Sequence, residues 1–502
     1  MTSKHPFRVL FLVSEADPLV KVGGLGDVGG SLPPALRAVG AEVRLIIPLH
    51  GAIRQAGLDL QPFANFHIHH KDGPMPVEVF TATLHGDTIY LVAGPPIPPE
   101  APVYSSDNNA DAHKYTFFSL AALELARQTD WRPDILHAND WHTSPAVYAL
   151  ALKRPADAFF NHTASLLTIH NLPYLGVGSD MALADFGLPP AHASHLPQWA
   201  NHMALPLGLL AADHLVIVSR GYAQEILTPE FGSGLHAFLQ TRADSISGIL
   251  NGIDTQRWDP AADPAITTNY TSARLGKRTA NKAALQAELH LKADPRCPLL
   301  AMITRMDYQK GVDLVLEMLR QLILNRQQPI QAVILGKGLA ELEDASRQLE
   351  KDFPDQIRTV MAYDERLSRR IYAGADALLM PSRYEPCGLA QMIAMRYGCI
   401  PIARSTGGLS DTIQDQDDPH ANTGFLFKEA TSASLALTTE RALQVYNRPQ
   451  DWRLIQKRAM QQNFSWQRSA KEYLVLYQKL AEQVLNGSQV DPFHSSRETV
   501  TE

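Results

Sequence analysis

Cysteine is the scarcest residue in this chain. There are three, Cys297, Cys387 and Cys399, with no C-x-x-C pair among them. That excludes a disulfide framework and a zinc ribbon and points to a reducing compartment. Long apolar runs are missing too. The longest, MALPLGLLAADHLVIVS, is broken by Asp213 and His214, which excludes a membrane-crossing helix. Positive charge is not in excess: 45 Lys and Arg face 52 Asp and Glu, a net charge of −7. Nucleic acid is therefore not expected as the main partner, although a local basic pocket for a small phosphate ligand is compatible with this balance. The start MTSKHPFRVLFLV runs into a strand pattern without room for an apolar leader, so a cytoplasmic protein is expected. There is no low-complexity tract, no short-period repeat and no G-x-x-x-x-G-K-[ST] motif of a P-loop.

What is present is a repeating alternation. The apolar, β-branched runs VLFLVSE, VRLIIP, TIYLVAG, PDILHAND, SLLTIHN, HLVIVS and SISGILNG alternate with helical patterns in the first half. The rhythm restarts at PLLAMITRM and continues through QAVILGKG, IRTVMAY, ADALLMPS, CIPIARS and TGFLFK. This predicts α/β architecture with parallel strands in two doubly wound, Rossmann-like domains. A chain of 502 residues is also too long for one core of ordinary size. The Pro-, Asp- and Thr-rich stretch NGIDTQRWDPAADPAITTNYT between them reads as hinge and linker. The expected organisation is a first domain over 1–250, a hinge over 251–260 and a second domain over 261–464. A closing helix is expected over 465–486 and a disordered tail over 487–502. Two such sheets facing each other across a cleft make a ligand site from their strand ends.

The stretch KVGGLGDVGG, Lys21 to Gly30, contains a literal G-x-G-x-x-G at Gly24, Gly26 and Gly29. A dinucleotide fingerprint needs its first glycine directly after the first strand and an acidic residue ending the next. Here ADPLVKV intervenes, and AEVRLIIP runs into LHGAI without the acid. Two readings stay open. Unpaired N–H groups of Gly23 and Gly24, with a helix starting near Asp27 and Lys21 adding charge, cradle an anion; or the glycines serve close packing of a strand-to-helix turn.

Other candidates stand at strand ends. ITRMDYQKGVDL puts Arg305 and Lys310 on one loop, which suits a diphosphate or is surface charge. ILGKGLAEL and ARSTGGLSDTI repeat the glycine-before-helix theme at Gly336–Gly338 and at Gly407 and Gly408. The densest cluster is MPSRYEPCGLAQMIAM, with Arg383, Glu385, Cys387 and Gly388. Glu385 is aimed either at substrate hydroxyls and developing positive charge or at the helix N-terminus as a cap. Cys387 reads as small buried packing. DILHANDWHTSP and LLTIHNLPYLG place His137, Asp140, Trp141, His142 and His170 together at strand ends. FHIHH reads as surface, its His67 and His69 on one face of an edge strand without a third ligand.

In their order, KVGGLGDV, HANDWHT, TIHNLPYLG, NGID, TRMDYQKG, PSRYEPCGL, STGGLSDT and FSWQRSAKEYLVLY resemble the blocks of the bacterial glycogen synthases and plant starch synthases. These are family 5 glycosyltransferases of the GT-B architecture, and the resemblance runs from the first strand to the last helix. It implies transfer of glucose from a nucleotide diphosphate glucose, usually ADP-glucose, to the nonreducing end of an α-1,4-glucan. Configuration is retained, without a protein nucleophile. The first domain is then the acceptor domain and the second the nucleotide-sugar domain. By matching motifs, Arg305 and Lys310 correspond to the pair stabilising the departing diphosphate, Glu385 to the carboxylate holding glucose hydroxyls, and His170 to the residue beside the anomeric centre. Asp140 and Asn251 fall in sugar-pocket blocks. Lys21, with Gly23 and Gly24, falls in the donor site, Tyr363 at an adenine-stacking position, and Cys387, Gly388 and Leu389 at the donor phosphates. No cofactor and no metal are expected, since cations and helix amides compensate the diphosphate and no D-x-D stands in a strand-end loop. Val22, where many bacterial members have Thr, and the looser TRMDYQKG depart from the pattern and bear on base preference and rate. The alternatives are a UDP-glucose-dependent synthase, a phosphorylase with lysine-linked pyridoxal phosphate, or an inactive glucan-binding regulator. The last is at odds with the intact charged set Lys21, Arg305, Lys310 and Glu385.

Overall fold

The computed structural model describes residues 6–84, 86–325, 329–416 and 421–487. The expected disordered tail lies outside the described residues from 488 onward. Two compact units are present. One takes in the described residues of Met1–Gly252 and Trp466–Glu502, the other Ile253–Ser465.

The strands of the first unit are β1 (Arg8–Leu12), β2 (Glu42–Pro48), β3 (Gln61–Ile68), β4 (Met75–Leu84), β5 (Asp87–Ala93), β6 (Ile135–Asn139), β7 (Ala164–Ile169), β8 (His214–Ile217) and β9 (Ile246–Gly248). They form one sheet in the order β3-β4-β5-β2-β1-β6-β7-β8-β9. From β5 to β9 every pairing is parallel. β1, β6 and β7 are buried along nearly their whole length, as strands covered on both faces must be. One edge departs from the parallel pattern: β3/β4 and β4/β5 pair antiparallel. β4 alternates exposed and buried residues through Pro76–Val79, the pattern of a ribbon with one face on the core. β3 is the edge strand and ends at Ile68, so His67 lies in it and His69 beyond it; both are exposed.

The second unit holds β10 (Leu299–Ile303), β11 (Gln331–Leu335), β12 (Ile357–Val360), β13 (Ala377–Met380), β14 (Ile400–Arg404) and β15 (Phe425–Phe427). Their order is β12-β11-β10-β13-β14-β15, all parallel. This is a doubly wound sheet whose direction of winding reverses between β10 and β13, the point at which such sheets bind ligands.

The last helix, Trp466–Leu485, belongs to the first unit. Its Trp466, Ala470, Tyr473, Tyr477, Leu480 and Val484 recur at spacings of four and three and share a core with Val9, Phe11, Val28 and Leu36. The Tyr477 hydroxyl lies 2.6 Å from His137 Nδ1, and Thr168 Oγ1 lies 2.8 Å from Nε2 of the same ring. Burial holds His137 neutral by pushing its pKa well below the ordinary value. Among the described residues, no helix is long and apolar enough to cross a membrane.

Candidate active site

At the carboxyl ends of β10 and β13 lies a cavity of about 150 Å³ whose lining includes Lys310, Ser382, Glu385, Gly388 and Leu389. Glu385 is 5% exposed. Lys310 Nζ donates to both of its carboxylate oxygens, at 2.8 and 2.7 Å, and Ser382 Oγ donates to Oε2 at 2.8 Å. Backbone packing brings these groups together. Gly311 has φ +69°, and a Cβ there would stand 2.4 Å from the carbonyl oxygen of Pro381. Only glycine lets the loop after β10 press against the end of β13, which puts Lys310 within reach of Glu385. A Cβ at Gly408 would lie 2.0 Å from the Cys387 carbonyl oxygen, and the Gly408 N–H donates to the Glu385 carbonyl at 3.0 Å. The STGG motif is thus the support on which the Glu385 turn rests.

The capping alternative for Glu385 is overturned. The following helix is Ala390–Arg396, its N-cap is Leu389, and no side chain caps it. With both oxygens engaged by Lys310 and Ser382, the carboxylate is drawn into the cavity instead. Arg305 stands apart: its side chain is 61% exposed and pairs with Asp307 at 3.3 Å. Arg383 pairs with Asp313 at 2.9 and 2.8 Å. Cys387 is buried, whereas Tyr363, in the turn after β12, is 82% exposed.

In the first unit, Asp140 opens the helix Asp140–Lys153 with φ +55°. This costly backbone turns its carboxylate to accept the His170 N–H at 2.7 Å. Burial raises the Asp140 pKa to about 7, against the lowering pull of the His170 and Asn171 amides. The His170 ring is fixed as well. Asn139 Nδ2 donates to the Leu12 carbonyl at 2.9 Å, so its Oδ1 faces His170 Nε2, also at 2.9 Å. Nε2 therefore carries the proton and Nδ1 is the acceptor. Burial pushes the His170 pKa down to about 3, and the imidazole is neutral at physiological pH. Asn251 is buried, and its Oδ1 has no hydrogen-bond partner among the described residues.

The glycine stretch forms the helix Gly24–Ala38 with Gly23 as N-cap, three residues earlier than expected. Its amides are not all unpaired. Val22 and Gly23 donate their N–H groups to Glu15 Oε2 at 2.5 and 3.1 Å, and Tyr104 donates its hydroxyl to Oε1 at 2.9 Å. The expected anion cradle at Gly23 is thus filled by a carboxylate of the protein. A Cβ at Gly29 would lie 2.2 Å from the Glu15 carbonyl oxygen, and one at Gly30 2.1 Å from that of Asp17. Close packing accounts for those glycines. Lys21 pairs with Asp27 at 2.7 Å and with Asp17 at 3.8 Å.

Comparison with known proteins places this geometry. Residues 8–241 match the starch synthase catalytic domain, and residues 290–458 the group 1 glycosyl transferases. Glycogen synthase of Syntrophotalea carbinolica is 38% identical over 482 residues, covering 95% of this chain and 99% of its own. Glycogen synthase of Aromatoleum aromaticum is 41% identical over 486 residues, covering 94% and 96%. The chain belongs to the glycogen and starch synthase family. Among solved structures, the catalytic domain of starch synthase IV from Arabidopsis thaliana, bound to ADP and acarbose, has a TM-score of 0.84 at 33% identity. It is matched over 95% of this chain and 100% of that one. Sucrose-phosphate synthase from Thermosynechococcus elongatus, at 18% identity and TM-score 0.60, shares the fold.

As a glycogen and starch synthase family member, the chain is a hexosyltransferase with two α/β units of the GT-B class. Of the residues its motifs single out, Lys310, Glu385, Gly388 and Leu389 share one cavity, while Arg305, Tyr363 and Cys387 are not among its lining. Asp140 and His170 are hydrogen-bonded neighbours, and Lys21, Gly23 and Gly24 share one turn. Sequence reasoning missed Glu15, Tyr104, Asn139 and Ser382. Glu15 and Ser382 each stand within three residues of the carboxyl end of a central strand, β1 and β13, and that position was the available signal.

Proposed function

We propose that the protein is a glycogen synthase that transfers glucose from ADP-glucose to the nonreducing end of an α-1,4-glucan with retention of configuration. The observation that carries this is the Lys310–Glu385–Ser382 cluster in the cavity at the winding reversal of the second sheet. The likeness to a starch synthase bound to ADP and acarbose supports the choice of donor and acceptor. In this reading Lys310 neutralises charge on the departing diphosphate. An ammonium has three N–H groups; two go to Glu385, and the third is left for a phosphate oxygen. Charge that develops as the glycosidic bond to the diphosphate breaks is met by a cation already in place, which favours the transition state over the ground state.

Glu385 holds glucose hydroxyls and opposes positive charge at the anomeric carbon. Ser382 and Lys310 keep it oriented. The exposed Arg305 and Lys21 complete the compensation of the diphosphate, and the amides of Gly388 and Leu389 donate to it. Cys387 takes part through the backbone of the same turn, and Tyr363 stacks on the adenine. In the first unit, neutral His170 and the carboxyl of Asp140, with Asn251, serve the sugar. His170 Nδ1, lacking a proton, is an acceptor for a hydroxyl. Attack from the same face as departure needs no protein nucleophile, and Glu385 is committed to Lys310 and Ser382.

The test is incubation with glycogen and radiolabelled ADP-glucose or UDP-glucose, counting label in precipitated polymer. Label from ADP-glucose at a rate well above UDP-glucose is expected. Label from neither donor overturns the assignment, and preference for UDP-glucose overturns its donor.

A further inference from the structure

Glu15 is 1% exposed, and nothing in the proposed chemistry uses it. It lies three residues beyond the end of β1 and is held from several sides. Its Oε2 accepts the N–H groups of Val22 and Gly23, and its Oε1 accepts the Tyr104 hydroxyl, which is itself 3.0 Å from Ser14 Oγ. A Cβ at Gly26 would meet Glu15 Oε2 at 3.1 Å and the Lys21 side chain at 3.0 Å. The carboxylate, the stem of Lys21 and the Gly26 backbone are therefore packed as one body. Behind them, the Asp17 N–H donates to the Gly26 carbonyl at 2.9 Å. A buried carboxylate costs stability unless it is hydrogen-bonded, and here it spends its bonds on the turn carrying an exposed lysine.

We propose that Glu15 is a positioning residue for donor binding: by fixing the Val22 and Gly23 amides it holds the Lys21–Gly24 turn in the shape that lets Lys21 engage the donor. The inference rests on the reading of Lys21 as a donor residue. It also divides the labour of the loop. The N-cap amide of Gly23 and the Val22 amide just before it are taken by an internal anion, so the loop contributes its cation rather than those two N–H groups.

The test uses the full chain with Glu15→Gln, which keeps a carbonyl acceptor, and Glu15→Met, which keeps volume and removes both acceptors. Glu15→Asp, with the carboxylate withdrawn by one methylene, replaces the Met variant should that not fold. Amide hydrogen exchange across residues 20–26 is measured alongside ADP-glucose and glycogen kinetics, with and without Lys21→Gln. Glu15→Met is expected to speed exchange at Val22 and Gly23 about tenfold or more. It is expected to raise donor KM about tenfold, with kcat and acceptor KM within about twofold. Glu15→Gln should recover most of both effects, and in the Lys21→Gln background Glu15→Met should add no further rise. Faster exchange with unchanged donor KM makes Glu15 merely structural and overturns the proposal. So does a KM effect that multiplies with that of Lys21→Gln. Absence of transfer by the wild type overturns the functional reading instead; the exchange rates, with ADP affinity by calorimetry, then decide the role of Glu15.

Discussion

Lys310 and Glu385 are a nearly buried ion pair, with side-chain exposures of 19% and 7%. Removing one partner of such a pair leaves the other uncompensated. Glu385→Gln is therefore expected to melt a few degrees lower and, if the carboxylate serves the anomeric centre, to lose on the order of 10² in kcat. Retention of more than about a tenth of wild-type kcat, a change of about 1.4 kcal/mol, removes it from the catalytic set. Asp140 gives a pH signature. It faces Glu15, whose charge raises its pKa, and the His170 and Asn171 amides, which lower it; burial dominates and leaves it at about 7. A carboxyl raised in the folded state contributes stability that is present below its unfolded pKa of about 4 and lost as pH rises through about 7. Compared with the wild type, Asp140→Asn should lose less melting temperature between pH 5 and 8; parallel curves would refute the raised pKa. At this scale legibility was uneven. Lys310 and Glu385 announce themselves by charge beside glycine at strand ends. Glu15 closes an apolar run, and its partners Val22 and Gly23 bind through backbone, which no side-chain pattern reveals.

Among elements, the helix Gly24–Ala38 offers a contest with a definite sign. Replacing an interior helical glycine with alanine gains about 1 kcal/mol of propensity. At Gly30, however, the added Cβ would meet the Asp17 carbonyl oxygen at 2.1 Å, and overpacking against atoms that cannot rotate away costs about 1–3 kcal/mol or more. Gly30→Ala should therefore lower the midpoint of chemical denaturation. Gly276→Ala, in the short helix Leu275–Lys277 with nothing within 4 Å of its added Cβ, should leave it unchanged or raise it slightly. Among the described residues, most of the thirteen strands lying outside the β3–β4 ribbon were legible because strands covered on both faces read as continuous apolar runs; β9 and β12, with one buried residue between them, were legible from the rhythm of alternation instead. Most of that ribbon was not. Its β4 has Pro76 near the start and alternates Val77, Glu78, Val79, so neither an apolar run nor a clean break marks it.

For the whole molecule, the first unit is assembled from two distant stretches of chain. Trp466, Ala470, Tyr473, Tyr477 and Leu480 are each at most 4% exposed. Burying a large apolar side chain contributes about 1.5–3 kcal/mol, so together these rival the roughly 5–15 kcal/mol net stability of a domain. A fragment ending at Gly252 should therefore fail to melt cooperatively, while the same fragment with residues 466–487 attached by a flexible linker should do so. A cooperative transition in the shorter fragment would show that the helix is dispensable. The apolar periodicity of that helix is plain in the sequence, but the surface it covers includes Val9, Phe11, Val28 and Leu36, more than 400 positions away. During synthesis this arrangement imposes a wait. At about 5–20 residues per second, the 213 residues of Ile253–Ser465 separate the two stretches by roughly 10–40 s. For that interval the apolar face bearing Val9, Val28 and Leu36 has left the ribosome without its cover. The nascent chain then exposes apolar surface of the kind that chaperones exist to shield, until its final turns of helix arrive.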